Sequence, residues 1–292
     1  MNWIRRKLLK PAGHCGVERA TIITGGTGHF VRAAQLCAPC LTGSAPIMVI
    51  SDKHRFVFVN LPQTASTAIS RELVDQYGAR EFCFKHALYR TDYLKAANAE
   101  QRKYRVISGL RNPMDITVST FFKVRSDHEG RYSNTRANKI KHGFLRKHIM
   151  LWWNGRSNRE INEKGLSFSE WFMRNHKVPY ASWSILDHKR FDKVIRYEHL
   201  QEDFSEALRI LGVKQTRPLP VGNKTAKEGK PFTEHFDTDD ARRRAKFVFG
   251  PYMEEFGYRF PLAWDHIKVP RRAFLAYRSL NLLRRLFWLY LR

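Results

Sequence analysis

Two short apolar runs, each breaking into a turn and then into helix-spaced hydrophobic residues, limit this chain more than any other feature. Phe56-Val57-Phe58-Val59-Asn60-Leu61 is one, and Tyr104 to Leu110 is the other. Apolar runs of this length read as strands buried on both faces. After the first, Ile69, Leu73 and Tyr77 recur at helical spacing, and Gly78 is placed to end the helix. After the second, Pro113 suits the first turn of a helix. Asp192 to Tyr197 reads as another strand, followed by a helix marked by Leu200, Phe204, Leu208 and Leu211 and closed by Gly212. Glu81 to Lys85 alternates in strand fashion, and Asp237 to Phe256 keeps Ala241, Ala245, Val248, Tyr252 and Phe256 on one side of a long helix. Strands alternating with helices predict an α/β fold, a central parallel sheet flanked by helices. No internal repeat is present.

The turns after the first two strands carry chemistry. The first amides of a helix have no internal partner and hold the positive end of its dipole, so a strand–turn–helix unit binds phosphate there. Pro62-Gln63-Thr64-Ala65-Ser66-Thr67 offers those amides plus three hydroxyls, with no glycine in the turn. In the second unit Arg111 stands at a strand end, where α/β sheets gather ligand-binding groups, and its planar fork suits a phosphate. Asn112 is placed to cap the helix, with Asp115 three residues on. Ser119 lies two helical turns from Asn112 on the same stripe, its hydroxyl leaning toward the same mouth. Alone, Arg111 reads as a surface arginine before a capped helix; the full spacing behind a buried strand favours a phosphate site.

Together these segments resemble the sulfotransferases that use 3′-phosphoadenosine 5′-phosphosulfate (PAPS). In that family a P-K-T-x-x-T type loop binds the 5′-phosphosulfate and an R-x-P-x-x-x-x-x-S type segment binds the 3′-phosphate. Pro62 to Thr67 matches the first except at Gln63, where the family has lysine, and Arg111 to Ser119 matches the second. Val194 to Leu200 and Glu254 to Tyr258 resemble stretches of the carbohydrate-type members, and the similarity runs from Ile47 to Pro261. The resemblance implies a P-loop-NTPase-like sulfotransferase fold and transfer of a sulfuryl group from PAPS, without a metal, to a hydroxyl of a saccharide or glycolipid. Pro62, Gln63, Thr64, Ala65, Ser66 and Thr67 would hold the 5′ side, and Arg111 and Ser119 the 3′-phosphate. Three readings of Gln63 stay open: it serves as a neutral donor at a lower rate, a lysine such as Lys224 reaches in from 223–230, or the site binds nucleotide without turnover. The base is expected at His86, at the C-terminal end of the strand that carries Phe82 and Phe84 on one face. His54 is the weaker rival, because it precedes the first strand.

Composition frames this reading. With 52 Lys plus Arg against 27 Asp plus Glu, the net charge of +25 favours a polyanionic partner. No helix-turn-helix, finger or RNA-binding signature is present, which ranks nucleic acid last among such partners. Cys37-Ala38-Pro39-Cys40 lacks the further ligands of a zinc site, and with Cys15 and Cys83 reads as incidental thiols. Residues 1–46, including the glycine-rich Thr24 to His29, read as a poorly ordered extension ahead of a domain over 47–262. The polar stretch Lys123 to Lys147 reads as an inserted loop, either solvated or substrate-facing. Residues 263–292 read as a basic aromatic helix that lies on a membrane surface or docks on its own domain; Arg271, Arg278, Arg285 and Arg292 recur every seven residues. No signal peptide and no apolar run long enough to span a membrane is visible, so a cytoplasmic location, peripheral to a membrane at most, is expected.

Overall fold

The apolar runs become the middle of a five-stranded sheet. This computed structural model describes residues 48–83, 87–130, 132, 144–180, 187–220, 228–287 and 290. Its strands are β1 (Met48–Ser51), β2 (Phe56–Val59), β3 (Arg80–Cys83), β4 (Arg105–Leu110) and β5 (Lys193–Arg196), in the spatial order β3-β1-β2-β4-β5. β2, β4 and β5 pair in parallel, whereas β1 runs antiparallel to both β2 and β3. The expectation of a parallel sheet therefore holds for the β2–β4–β5 half and fails at β1. The reason is local: Asp52 to Arg55 turn the chain directly from β1 into β2, with Arg55 left-handed at φ 54°. A turn this short joins only antiparallel neighbours, since a parallel pair needs a long crossover.

The longer helices are α1 (Ser66–Tyr77), α2 (Pro113–Arg125), α3 (Phe144–Glu163), α4 (Phe168–Asn175), α5 (Leu200–Ile210), α6 (Asp239–Glu255) and α7 (Arg271–Leu286). Several ends follow from single residues. Gly78 at φ 60° closes α1, Asn112 caps α2 by accepting from the Met114 amide, and Ser167 with Glu170 forms a capping box on α4. α2 ends at Arg125, near the start of the stretch expected to be loop, but α3 already begins at Phe144, inside it.

Alternation along the strands makes two cores. Phe56, Phe58, Val49, Ile107 and Ile195 face α1 and α5, meeting Ile69, Leu73, Phe204 and Leu208. Val57, Val59, Ile50 and Val106 face the other way, against Leu61, Ala87, Tyr93 and Ala97. A third core joins α2, α4 and α6 through Val118, Phe121, Trp171, Phe172, Val248 and Phe249. α7 docks on α6 through Ala273 and Tyr277, both buried, and the Tyr277 hydroxyl donates to Glu255 Oε2 at 2.6 Å. Residues 1–46, with Cys15, Cys37, Cys40 and Thr24 to His29, lie outside the described residues, as do 84–86, 133–143 and 221–227. No described helix is long and apolar enough to cross a membrane.

Candidate functional site

The loop between β2 and α1 is folded tightly on itself. Thr64 Oγ1 and Ser66 Oγ both donate to the carbonyl of Leu61, at 3.0 and 2.7 Å. Two of the three hydroxyls expected to face a phosphate are thus spent on closing the loop. The Thr67 hydroxyl, on a half-buried residue at the first turn of α1, makes no hydrogen bond to the described residues. Gln63 and Ala65 both take the left-handed conformation, at φ 65° and 59°, although neither is glycine. Each costs of order 1–3 kcal/mol and persists only where the surroundings impose it. Left-handed residues alternating along a turn bring successive N–H groups onto one point, an anion-binding concavity. No side chain caps α1, and its first turn holds no acidic residue. The Ala68 and Ile69 amides bond back to the Ala65 carbonyl, at 2.9 and 3.2 Å, and the start of α1 has no side-chain competitor for an anion.

β4 runs beneath this loop and makes room for it. A Cβ on Gly109 would stand 2.7 Å from Thr64 Oγ1, 2.9 Å from Thr64 Cβ and 3.1 Å from the Thr64 carbonyl oxygen. Glycine at 109 is what lets the loop settle on the strand. Gly109 is not among the residues singled out from the sequence, although a glycine inside an otherwise apolar strand signals such a close approach.

One residue after β4, Arg111 ties the two motifs together. Its Nε donates to Asp115 Oδ2 at 2.7 Å, its Nη2 to Ser119 Oγ at 2.7 Å, and its Nη1 to the carbonyl of Gln63 at 3.3 Å. The guanidinium lies 4.1 Å from the centroid of the Tyr197 ring, within cation–π range. The expected meeting of Arg111 with Ser119 is present. It is a closed arrangement, with Arg111 6% exposed and Ser119 fully buried. Asp115 accepts from Arg111, and the Asn112 side chain caps the helix. Gln63 is exposed; its Oε1 lies 3.5 Å from the Thr120 hydroxyl, and its amide nitrogen makes no hydrogen bond to the described residues.

The two further stretches noted in the sequence meet beside this cluster. Glu198 accepts from the Asn112 amide at 2.7 Å and from the Tyr258 hydroxyl at 3.1 Å. Burial, and then the Glu198 charge, pushes the Tyr258 phenol far above its ordinary range, so it stays a donor. Arg196 Nη2 donates to the carbonyl of Phe256 at 2.9 Å, and its guanidinium lies 5.1 Å from the Tyr258 ring. Tyr197 and Glu198 thus buttress the turn that carries Arg111 and Asn112. Nothing local in the sequence indicates these partners, because Glu198 lies 86 residues from Asn112.

The remaining expected residues divide. His86 and Lys224 lie outside the described residues. β3, which leads toward His86, points the same way as β2 because both oppose β1, and its last residue, Cys83, pairs with Met48. β3 therefore ends on the edge that carries the loop. His54 sits in the β1–β2 turn at the opposite edge, as expected for the weaker rival. Burial pushes the Cys83 thiol up to about 11, away from the reactive thiolate. The described end of the 223–230 loop is held to α2 by the Arg125–Glu228 ion pair at 2.7 Å. Among the described residues no group of three or more His, Cys, Asp or Glu side chains is placed to hold a metal.

A family model described as "Sulfotransferase family" matches residues 46–250, which include the sheet, both motifs and most of α6. No curated protein and no solved structure matches the chain.

Proposed function

The chain belongs to the sulfotransferase family, and we propose that it moves a sulfuryl group from PAPS to a hydroxyl of a saccharide or glycolipid. The observation that carries this reading is the junction of the two motifs: Arg111 of the second reaches both Ser119 and the Gln63 carbonyl of the first. The uncapped start of α1 and the close approach at Gly109 fit a bound phosphate, since they leave backbone amides without side-chain competitors. Thr64 to Thr67 would hold the 5′ side through those amides and the Thr67 hydroxyl. Arg111 and Ser119 would hold the 3′-phosphate. Ser119 Oγ accepts from Arg111 and so keeps its own proton for donation, and the 3.3 Å contact from Nη1 to Gln63 is the bond most easily exchanged.

When bound, PAPS supplies the activated sulfuryl group. The chain's own task is to position the groups and to stabilise charge that grows during transfer. At position 63 that stabiliser is a neutral amide nitrogen. Losing one charge-stabilising donor costs about 10²–10³ in rate. Lys224 is the candidate to restore the charge, and His86 the candidate to take the proton of the acceptor hydroxyl. Gln63 also supports a second reading, a relative that binds PAPS or its product without turnover.

Calorimetric titration with 3′-phosphoadenosine 5′-phosphate separates these readings. The parent protein should bind, and Arg111→Ala should lose most of the affinity; no binding by the parent would sink both nucleotide readings. His86→Ala should bind normally and fail to transfer. Gln63→Lys should raise transfer if position 63 is the weak point. Binding with no transfer to any saccharide or glycolipid acceptor, in both the parent and Gln63→Lys, would leave the non-catalytic reading standing.

A further inference from the structure

The face of α7 that points away from the domain carries three leucines in a row. Leu275, Leu282 and Leu286 are 66%, 58% and 44% exposed, and their spacing of seven and four residues keeps them on one helical stripe. At about 100° per residue, that stripe lies roughly opposite Ala273 and Tyr277, which dock the helix on α6. Leu283, 63% exposed, widens it on one side. Arg271, Arg278 and Arg285 run along its other side, all exposed, Arg278 about 40° round the axis from Leu282. No acidic residue occurs between Arg271 and Phe287. Beside the start of the helix opens a cavity of about 510 Å³ lined by Lys177, Arg243, Arg244 and Arg272 against one carboxylate, Asp240.

We propose that α7 seats the protein on an anionic lipid bilayer, lying in the plane of the surface with Leu275, Leu282 and Leu286 in the acyl boundary and its arginines among the headgroups. An exposed apolar stripe flanked by cations is what such a surface complements on both counts. The docked face explains why the helix stays with its domain while the opposite face remains apolar; docking and surface binding use different sides. The helix lies on the membrane and does not cross it, since no described helix has the length and apolarity to span one. Nucleic acid would leave the leucines without a partner. A second copy packed through the same stripe would bring the rows of arginine toward one another, at a repulsive cost.

Vesicle flotation with the full chain tests this independently of any transferase activity. The parent should float with phosphatidylcholine vesicles containing phosphatidylserine and stay behind with phosphatidylcholine alone, and added salt should release it. Leu282→Glu with Leu286→Glu should lower partition at least tenfold while leaving the thermal melt unchanged, since both side chains are exposed. Arg278→Gln with Arg285→Gln should weaken binding to the anionic vesicles by about thirtyfold at low salt. The proposal is overturned if the parent fails to float on the anionic vesicles, or if the leucine pair floats as the parent does. It is also overturned if sedimentation shows a dimer that the leucine pair dissolves while vesicles bind neither protein; the stripe is then a subunit contact.

Discussion

At the scale of single residues, the site depends on one that looks unremarkable in sequence, Gly109, and on one that stands out there, Arg111. Gly109 has no side chain to contribute, yet a methyl there would overlap Thr64 at 2.7–3.1 Å on three atoms, one of them the backbone carbonyl oxygen. Backbone cannot yield as a flexible side chain does, so the loop itself must lift. Gly109→Ala is therefore expected to lower affinity for 3′-phosphoadenosine 5′-phosphate at least tenfold and to destabilise the fold by about 1–3 kcal/mol, as read by titration and by denaturant midpoint. Unchanged affinity would show that the loop does not bind through its backbone. Arg111 makes the complementary case. It uses both arms of its fork and its flat face at once, on Ser119, Asp115, the Gln63 carbonyl and Tyr197. Lysine keeps the charge but has neither fork nor plane. Arg111→Lys should bind nucleotide nearly as poorly as Arg111→Ala, so a variant within a few-fold of the parent would mean that charge alone suffices there. The meeting of Arg111 and Ser119 was legible because helix geometry fixes it over a few residues. The contributions of Gly109, Tyr197 and Glu198 were not, because they arise only when separate strands lie side by side.

Elements read well where their signals are local. The β2–α1, β4–α2 and β5–α5 units followed from apolar runs, Pro113, Gly78 and Gly212, and each is present. β1 was not read as a strand at all, and its direction was not legible either, because four residues of turn decide it and no periodicity reports it. The start of α3 was hidden by a polar, basic composition that reads equally as loop. α4 offers a test of how tightly such an element is packed. Its C-terminal cap, His176, sits between Trp171 and Phe172, ring centroids 5.0 and 4.9 Å away. Burial there lowers its pKa to about 4. Above the unfolded value of roughly 6.5 the ring is neutral in both states and costs nothing. As pH falls from about 6.5 toward 4 the unfolded chain takes up a proton that the folded chain refuses, so stability is lost across that window and the loss levels off below it. The full extent is about 3 kcal/mol for a shift of this size. His176→Phe should remove that part of the acid sensitivity. Denaturant midpoints of parent and variant at pH 7.5 and 4.5 measure it, and parallel pH profiles would show that the ring is protonated within the fold.

At the scale of the whole molecule, charge decides what can approach. With 52 cations and 27 anions, ion pairing cannot neutralise the surface even if every carboxylate finds a partner. Several carboxylates are already taken by structural pairs, such as Asp52 with Arg80 at 2.7 Å and Glu72 with Arg217 at 2.8 Å. The excess forms a field that reaches about a Debye length into solution, about 10 Å at 0.1 M salt and far less at 1 M. Such a field steers an anionic acceptor and does nothing for a neutral one. If the surplus cations surround the mouth used by the acceptor, kcat/KM for a carboxylated or already sulfated saccharide should fall steeply with salt, with the donor kept saturating so that its own charge drops out. A neutral saccharide or glycolipid should show a nearly flat profile in the same assay. The slope counts the charges that matter, because substituting a steering residue lowers it while substituting a remote one does not. A flat profile for both acceptor types would instead assign the surplus to surfaces away from the transfer site. α7 with its arginines is the first of these, where salt would then act on vesicle binding and not on catalysis.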